Sequence, residues 1–126
     1  MSLKILVLDD EKIVGERLKS SLEKNGHNLE IFIDPARAMD RIQEEKFDVV
    51  ILDIRMDKIN GIQVLETVRK KSERTKVIMI TGYATLEVAR ESLTKGAFDF
   101  ISKPFKLKEI HQAVQNAEEA LQAAGH

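Results

Sequence analysis

The sequence predicts an α/β domain built on a five-stranded parallel sheet, and three observations carry that reading. The runs Ile5–Leu8, Val49–Leu52 and Val77–Ile80 are β-branched and aliphatic throughout, too short for helices, and so read as strands buried on both faces. Between them the apolar residues recur at helical spacing. The two patterns alternate from one end of the chain to the other with short connections, which implies parallel strands, right-handed crossovers and helices on both faces of the sheet.

The first run, Ile5–Leu8, ends in Asp9-Asp10-Glu11, and Ile13, Val14, Leu18, Ser21 and Leu22 then form a helical stripe stopped by Asn25-Gly26. From His27 to Ile33 the alternation of Leu29, Ile31 and Ile33 with polar residues reads as a less buried strand. Asp34-Pro35 opens a second helix as N-cap and first-turn proline, with Ala38, Met39 and Ile42 inward. The central strand Val49–Leu52 ends at Asp53, where a charged side chain stays wet beyond an apolar strand. A polar loop over 54–60 closes at Asn60-Gly61, and Ile62, Leu65 and Val68 give a third helical face. Val77–Ile80 runs into Thr81-Gly82, and Leu86, Ala89 and Leu93 mark a fourth helix stopped at Lys95-Gly96. Phe98, Phe100 and Ser102 alternate with Asp99 and Ile101 in a fifth strand that leads to Lys103, and Leu107, Ile110, Val114, Ala117 and Leu121 form a fifth stripe. From Ala120 to His126 that stripe fades, so the end of the chain is expected to be frayed or to begin a linker.

With 126 residues, 43% hydrophobic and 33% charged, the chain fits one domain spanning 1–126 with a single core. The 20 basic and 21 acidic residues are interspersed, so no global field favours nucleic acid or an anionic membrane, and direct binding to either is not expected. The absence of cysteine removes disulfides and thiolate sites, and the first apolar run is cut short by acids before it makes a signal-peptide core. A cytoplasmic location follows as the expectation. His27, His111 and His126 lack metal-ligand spacing and read as exposed bystanders, and Arg69–Arg74 reads as a solvated helix end.

Four strands deliver chemistry to one edge: Asp9 and Asp10, Asp53, Thr81-Gly82, and Lys103. Carboxylates that converge repel one another and raise one another's pKa unless a cation joins them, and oxygen-only ligands suit Mg²⁺. The formal charge of −3 on Asp9, Asp10 and Asp53 is neutralised by Mg²⁺ and Lys103 together. Such a cluster accepts a phosphoryl group, with Asp53 as carboxylate nucleophile, the metal and Lys103 on its oxygens, and Thr81 donating a hydrogen bond.

Leu8-Asp9-Asp10-Glu11, the strands ending at Asp53 and at Thr81-Gly82, and the run Gly96–Phe105 together resemble the receiver domain of bacterial two-component response regulators. The resemblance spans nearly the whole chain, and it implies the flavodoxin-like strand order 2-1-3-4-5. It implies that Asp53 takes a phosphoryl group from a sensor histidine kinase, with Mg²⁺ held by Asp10, by Asp9 through water, by Asp53 and by the backbone carbonyl of Arg55. Lys103 would pair with the phosphoryl oxygens. Thr81 and Gly82 would close on them as Phe100 turns inward, changing the surface of the fourth helix, fifth strand and fifth helix. That face would serve output or homodimerisation. The resemblance also makes the Lys103-Pro104 bond cis. Arg55 and Tyr83 occupy positions that modulate hydrolysis in this family, and two large side chains shading the attacking water imply a long-lived phospho-form. Asp57 stands where the family commonly has proline, leaving the loop less constrained and adding a carboxylate near the metal. Gly96–Phe105 further resembles receivers attached to enhancer-binding transcription activators, so a downstream output domain is implied.

The phosphoacceptor would be a switch with limited self-phosphorylation and autodephosphorylation, not an enzyme by function. Three other readings stand beside it. A Mg²⁺-dependent phosphatase or phosphotransferase would need an Asp-x-Asp-x-Thr nucleophile, and the first strand is followed instead by Asp9-Asp10-Glu11-Lys12-Ile13. A flavin-binding fold would need a phosphate cradle where these acids repel phosphate. A degenerate receiver acting as a constitutive interaction module would not need the intact acidic set.

Overall fold

Each aliphatic run forms a strand whose side chains are covered on both sides. The computed structural model describes residues 1–54 and 60–125. Its elements in order are β1 (Lys4–Leu8), α1 (Lys12–Glu23), β2 (Asn28–Phe32), α2 (Pro35–Glu44), β3 (Val49–Asp53), α3 (Gly61–Lys71), β4 (Lys76–Thr81), α4 (Leu86–Thr94), β5 (Asp99–Ser102) and α5 (Leu107–Ala124). The strands are all parallel and run in the order β2-β1-β3-β4-β5, the flavodoxin-like arrangement.

Alternate residues of the central strands feed two cores. Ile5, Val7, Val49, Ile51, Ile78 and Ile80 meet Val14, Leu18 and Leu22 of α1 and Ile110, Ala113, Val114, Ala117 and Leu121 of α5. Leu6, Leu8, Val50, Leu52, Val77 and Met79 meet Ala38 and Ile42 of α2 and Ile62, Val64, Leu65 and Val68 of α3. Full burial of each such apolar side chain is worth about 1.5–3 kcal/mol, so Val49–Leu52, buried throughout, anchor the strand that carries Asp53.

Local signals set the helix starts. Asp34 Oδ1 accepts the Ala36 N–H at 3.0 Å with Pro35 in the first turn. Asn60 and Gln63 cap α3 reciprocally, each side-chain oxygen accepting the other's backbone N–H at 3.1 Å, a device of the kind whose loss typically costs about 1 kcal/mol.

Several sequence expectations are corrected. In α4 the expected inward residues Leu86 and Leu93 are 69% and 51% exposed, and the buried residue is Ser92. Its hydroxyl donates to the Val88 carbonyl at 2.9 Å, so a small, internally satisfied polar group takes the tightest place under the helix. Ile13 and Ile33 are also exposed, one at the outer side of α1 and the other past the end of β2. Phe98 and Phe100 do not share a face, because β5 begins at Asp99: Phe98 packs against the α1–α5 core and Phe100 against the opposite one. α5 continues to Ala124, with Leu121 fully buried.

The histidines of the described residues are not bystanders. His111 sits between α1 and α5, bonded to Ser21 through Nε2 and to Asn25 through Nδ1 at 2.7 Å. His27 is buried, and its Nδ1 accepts the Leu3 N–H at 3.1 Å, which fixes that nitrogen as unprotonated. Burial lowers the His27 pKa from its ordinary value of 6.5 against the raising effect of Glu118. Stability from this contact is therefore complete above pH 6.5 and declines as pH falls through the depressed folded value. Thermal melts from pH 7.5 down to about 5.5 are expected to show that decline, and His27→Gln, which keeps an acceptor but does not titrate, should flatten it.

Candidate functional site

The sheet register brings the expected residues to one level. Leu8 of β1 pairs with Leu52, so Asp9 stands beside Asp53 at the carboxyl edge. Asp53 pairs with Ile80, Thr81 with Ser102, and the Lys103 N–H donates to the Thr81 carbonyl at 2.8 Å, which places Thr81 and Lys103 in the next row. Four strands thus deliver polar residues to one edge, where a parallel α/β sheet keeps its crevice.

Lys103 lies at the centre. Its Nζ is 2.7 Å from Asp9 Oδ2, 3.0 Å from Asp53 Oδ2 and 3.1 Å from Glu11 Oε1. The Asp9 and Asp53 side chains are 0% and 7% exposed, and the Glu11 side chain 62%. Asp9 Oδ1 accepts the Glu11 N–H at 2.8 Å, whereas its buried Oδ2 has the ion-pair contact but no aligned hydrogen bond. Burial pushes the Asp9 carboxyl above its ordinary value, and Asp53 adds to the rise; the Lys103 ammonium and the Glu11 N–H only partly oppose it. Burial would lower the Lys103 pKa, but its contacts with Asp9, Asp53 and Glu11 outweigh burial and raise it. An ion pair ordinarily lowers its acid; here the burial of Asp9 outweighs the ammonium beside it.

The buried Asp9 oxygen without an aligned hydrogen bond and the donor set together fit a hard divalent cation. Asp9, Asp10, Glu11 and Asp53 each offer a carboxylate oxygen, all within 4.8 Å of one another. Among the described residues a formal charge of −4 faces the Lys103 ammonium, and all four donors are oxygen, the chemistry that Mg²⁺ takes.

The remaining expected residues fall as follows. Thr81 is fully buried, and its Oγ1 accepts the Tyr83 N–H at 3.0 Å, leaving the hydroxyl proton to donate. Gly82 is exposed, and so is Tyr83, at 61%. Phe100 is half-buried against the α2–α3 core and pairs in register with Met79, two residues before Thr81. The Lys103-Pro104 bond is cis. Arg55, with the expected carbonyl ligand, and Asp57, with the loop reading, lie outside the described residues.

Two residues of this site were not singled out from sequence. Glu11 bonds Lys103 across 92 positions; its only signal was a third acid after Asp9-Asp10, which carries no information on reach. Gly61 starts α3 directly on the acceptor's backbone, its N–H donating to the Ile54 carbonyl at 2.8 Å; in sequence it reads only as the second half of a turn.

The response regulator receiver domain family model matches residues 5–115. The regulatory protein AtoC of Escherichia coli (strain K12) is 38% identical over 114 residues, which are 90% of this chain and 25% of that protein. The chain spans 48% of other regulators that match it, so it corresponds to less than half the length of these relatives. Among solved structures, a CheY-like receiver domain protein from Methanospirillum hungatei superposes with a TM-score of 0.93 at 28% identity, covering 98% of this chain and 99% of that one. A beryllofluoride-activated NtrC4 receiver domain dimer gives a TM-score of 0.88 at 29% identity over 94% of this chain and 98% of that one. Strand order, the acid and lysine cluster at the sheet edge and these matches agree: the chain belongs to the response regulator receiver domain family of two-component signalling.

Proposed function

We propose that this chain is a phosphoacceptor switch that takes a phosphoryl group from a sensor histidine kinase onto Asp53. The observation that carries the reading is the convergence of Asp53 with Asp9 and with Lys103, whose Nζ is 3.0 Å from the Asp53 carboxylate. Receiver domains bind Mg²⁺ at an acidic pocket, and here Asp10, Asp9 and Asp53, with the Arg55 carbonyl, would hold it. When bound, Mg²⁺ would offset the pocket's excess charge and polarise the phosphoryl oxygens.

The transfer balances without a proton. A carboxylate oxygen of Asp53 attacks phosphorus, an O–P bond forms, the bond from phosphorus to the donor breaks, and the leaving group departs with the bonding pair. Lys103, 3.0 Å from the Asp53 carboxylate, would take up charge on the phosphoryl oxygens, and Thr81 would donate its hydroxyl to one of them. Thr81 closing on the group would let Phe100 turn inward and alter the face made by α4, β5 and α5. α4 is suited to such a change, because Leu86 and Leu93 leave it weakly anchored.

Homodimerisation through that face, a downstream output domain and a cytoplasmic location belong to the same proposal. The solved NtrC4 relative is described as an activated dimer, AtoC extends well beyond the matched region, and no described helix is long and apolar enough to cross a membrane. The chain would be a switch rather than an enzyme, its phospho-form prolonged by Arg55 and by Tyr83.

Incubation with Mg²⁺ and a small acyl phosphate, read by intact mass, is the test. One phosphoryl adduct per chain, absent when a chelator is present, is the expected result. No uptake would favour a constitutive interaction module, and continuous turnover of external phosphoesters would favour a phosphatase.

A further inference from the structure

The three carboxylates around Lys103 differ in what it takes to release them. Asp9 is fully buried, and Asp53 is itself the group that would carry phosphorus. A buried acid stripped of its cation is left uncompensated. Glu11 is 62% exposed and can return to water, where an ion pair is weakly held. Its backbone is fixed independently: the N–H donates to Asp9 Oδ1 at 2.8 Å, and the carbonyl accepts the Val14 N–H at 3.0 Å. The side chain can therefore swing away without unwinding the start of α1.

An ammonium has three N–H donors, and three carboxylate oxygens already stand within 3.1 Å of this one. Two of those contacts, to Asp53 Oδ2 and Glu11 Oε1, are aligned hydrogen bonds, and that to Asp9 Oδ2 is an ion-pair contact. A phosphoryl oxygen arriving at Asp53 therefore competes for the ammonium with these oxygens, of which that of Glu11 is the one that water can release. Building on the phosphoacceptor reading above, we propose that Glu11 gates phosphoryl uptake: its carboxylate holds one of the aligned N–H bonds of Lys103, competes there with the incoming phosphoryl oxygen, and swings into solvent as the O–P bond to Asp53 forms. Glu11 is a positioning residue in this scheme. Before transfer it helps hold the ammonium aimed into the pocket, and its departure hands one donor to the incoming group.

The test compares initial rates of uptake from a small acyl phosphate at saturating Mg²⁺ in wild type, Glu11→Gln and Glu11→Asp, with far-UV circular dichroism confirming the fold. Glu11→Gln removes the charge that grips Lys103, and Glu11→Asp keeps the charge but shortens the reach. Both are expected to take up phosphoryl about two- to fivefold faster at saturating Mg²⁺, the range an exposed ion pair supports. A slower or unchanged Glu11→Gln overturns the gate. Glu11→Asp behaving as wild type would reduce the effect to long-range charge and overturn the contact. Wild type that takes up no phosphoryl overturns the phosphoacceptor reading and the gate with it, whereas uptake indifferent to position 11 overturns the gate alone.

Discussion

Asp53→Asn is expected to abolish phosphoryl uptake outright, with no adduct seen by intact mass under conditions that load the wild-type chain. The amide is nearly isosteric, so it fits the 7% exposed site that the carboxylate occupies, but it offers no anionic oxygen to attack phosphorus. Stability should move the other way. The substitution removes one of four crowded acidic groups and leaves Lys103 with Asp9 and Glu11 as partners. Because Asp9 already sits above its ordinary value, with Asp53 among the causes, relief of repulsion should hold or raise the midpoint of thermal unfolding without divalent ions. Added Mg²⁺ should stabilise wild type more than the variant, since ligand stabilisation follows the affinity that the lost carboxylate supplied. An adduct persisting in Asp53→Asn would place the acceptor elsewhere. A large loss of stability would mean that Asp53 is principally a structural partner of Lys103.

The parts of this architecture that were legible from sequence are those where one residue type reports one environment. Val49–Leu52 cannot be anything but a doubly covered strand, and the acid, hydroxyl and amine that follow the four aliphatic or aromatic runs mark the edge where apolar packing ends. What could not be read depends on how an element docks. Leu86 and Leu93 look like an inward stripe, yet α4 meets the sheet through Val88 and Ser92, because a serine whose hydroxyl is spent on the preceding turn lets the helix lie closer than leucine would. His27 looks exposed beside Asn25-Gly26, but its ring nitrogen is the acceptor for a buried backbone N–H from a segment 24 positions away. Glu11 and Gly61 belong to the same class. One acts by reach and the other by the absence of a side chain, and neither leaves a trace in local periodicity.

Gly61→Ala is the sharper test of how the acceptor is held. A Cβ at this position would stand 2.4 Å from the Asp53 carbonyl oxygen, 2.8 Å from Ile54 Cα and 3.1 Å from the Asp53 carbonyl carbon, all backbone atoms that no rotamer change can move. Either the start of α3 must back away, stretching the 2.8 Å bond from Gly61 N–H to the Ile54 carbonyl and disturbing the Asn60–Gln63 cap, or the end of β3 must shift and take Asp53 with it. Overpacking of this kind costs about 1–3 kcal/mol. The functional loss should be disproportionate, because displacing a reacting group by about 1 Å costs about 10²-fold in rate. Ile110→Ala supplies the control: it empties a fully buried site in the α1–α5 core, at a cost of about 2–5 kcal/mol, without touching the backbone of Asp53. Assayed below both unfolding transitions, Ile110→Ala should load phosphoryl at the wild-type rate while Gly61→Ala falls about 10²-fold. Equal rates in the two variants would show that the close approach of α3 sets stability alone, and that the acceptor's placement is governed by the sheet.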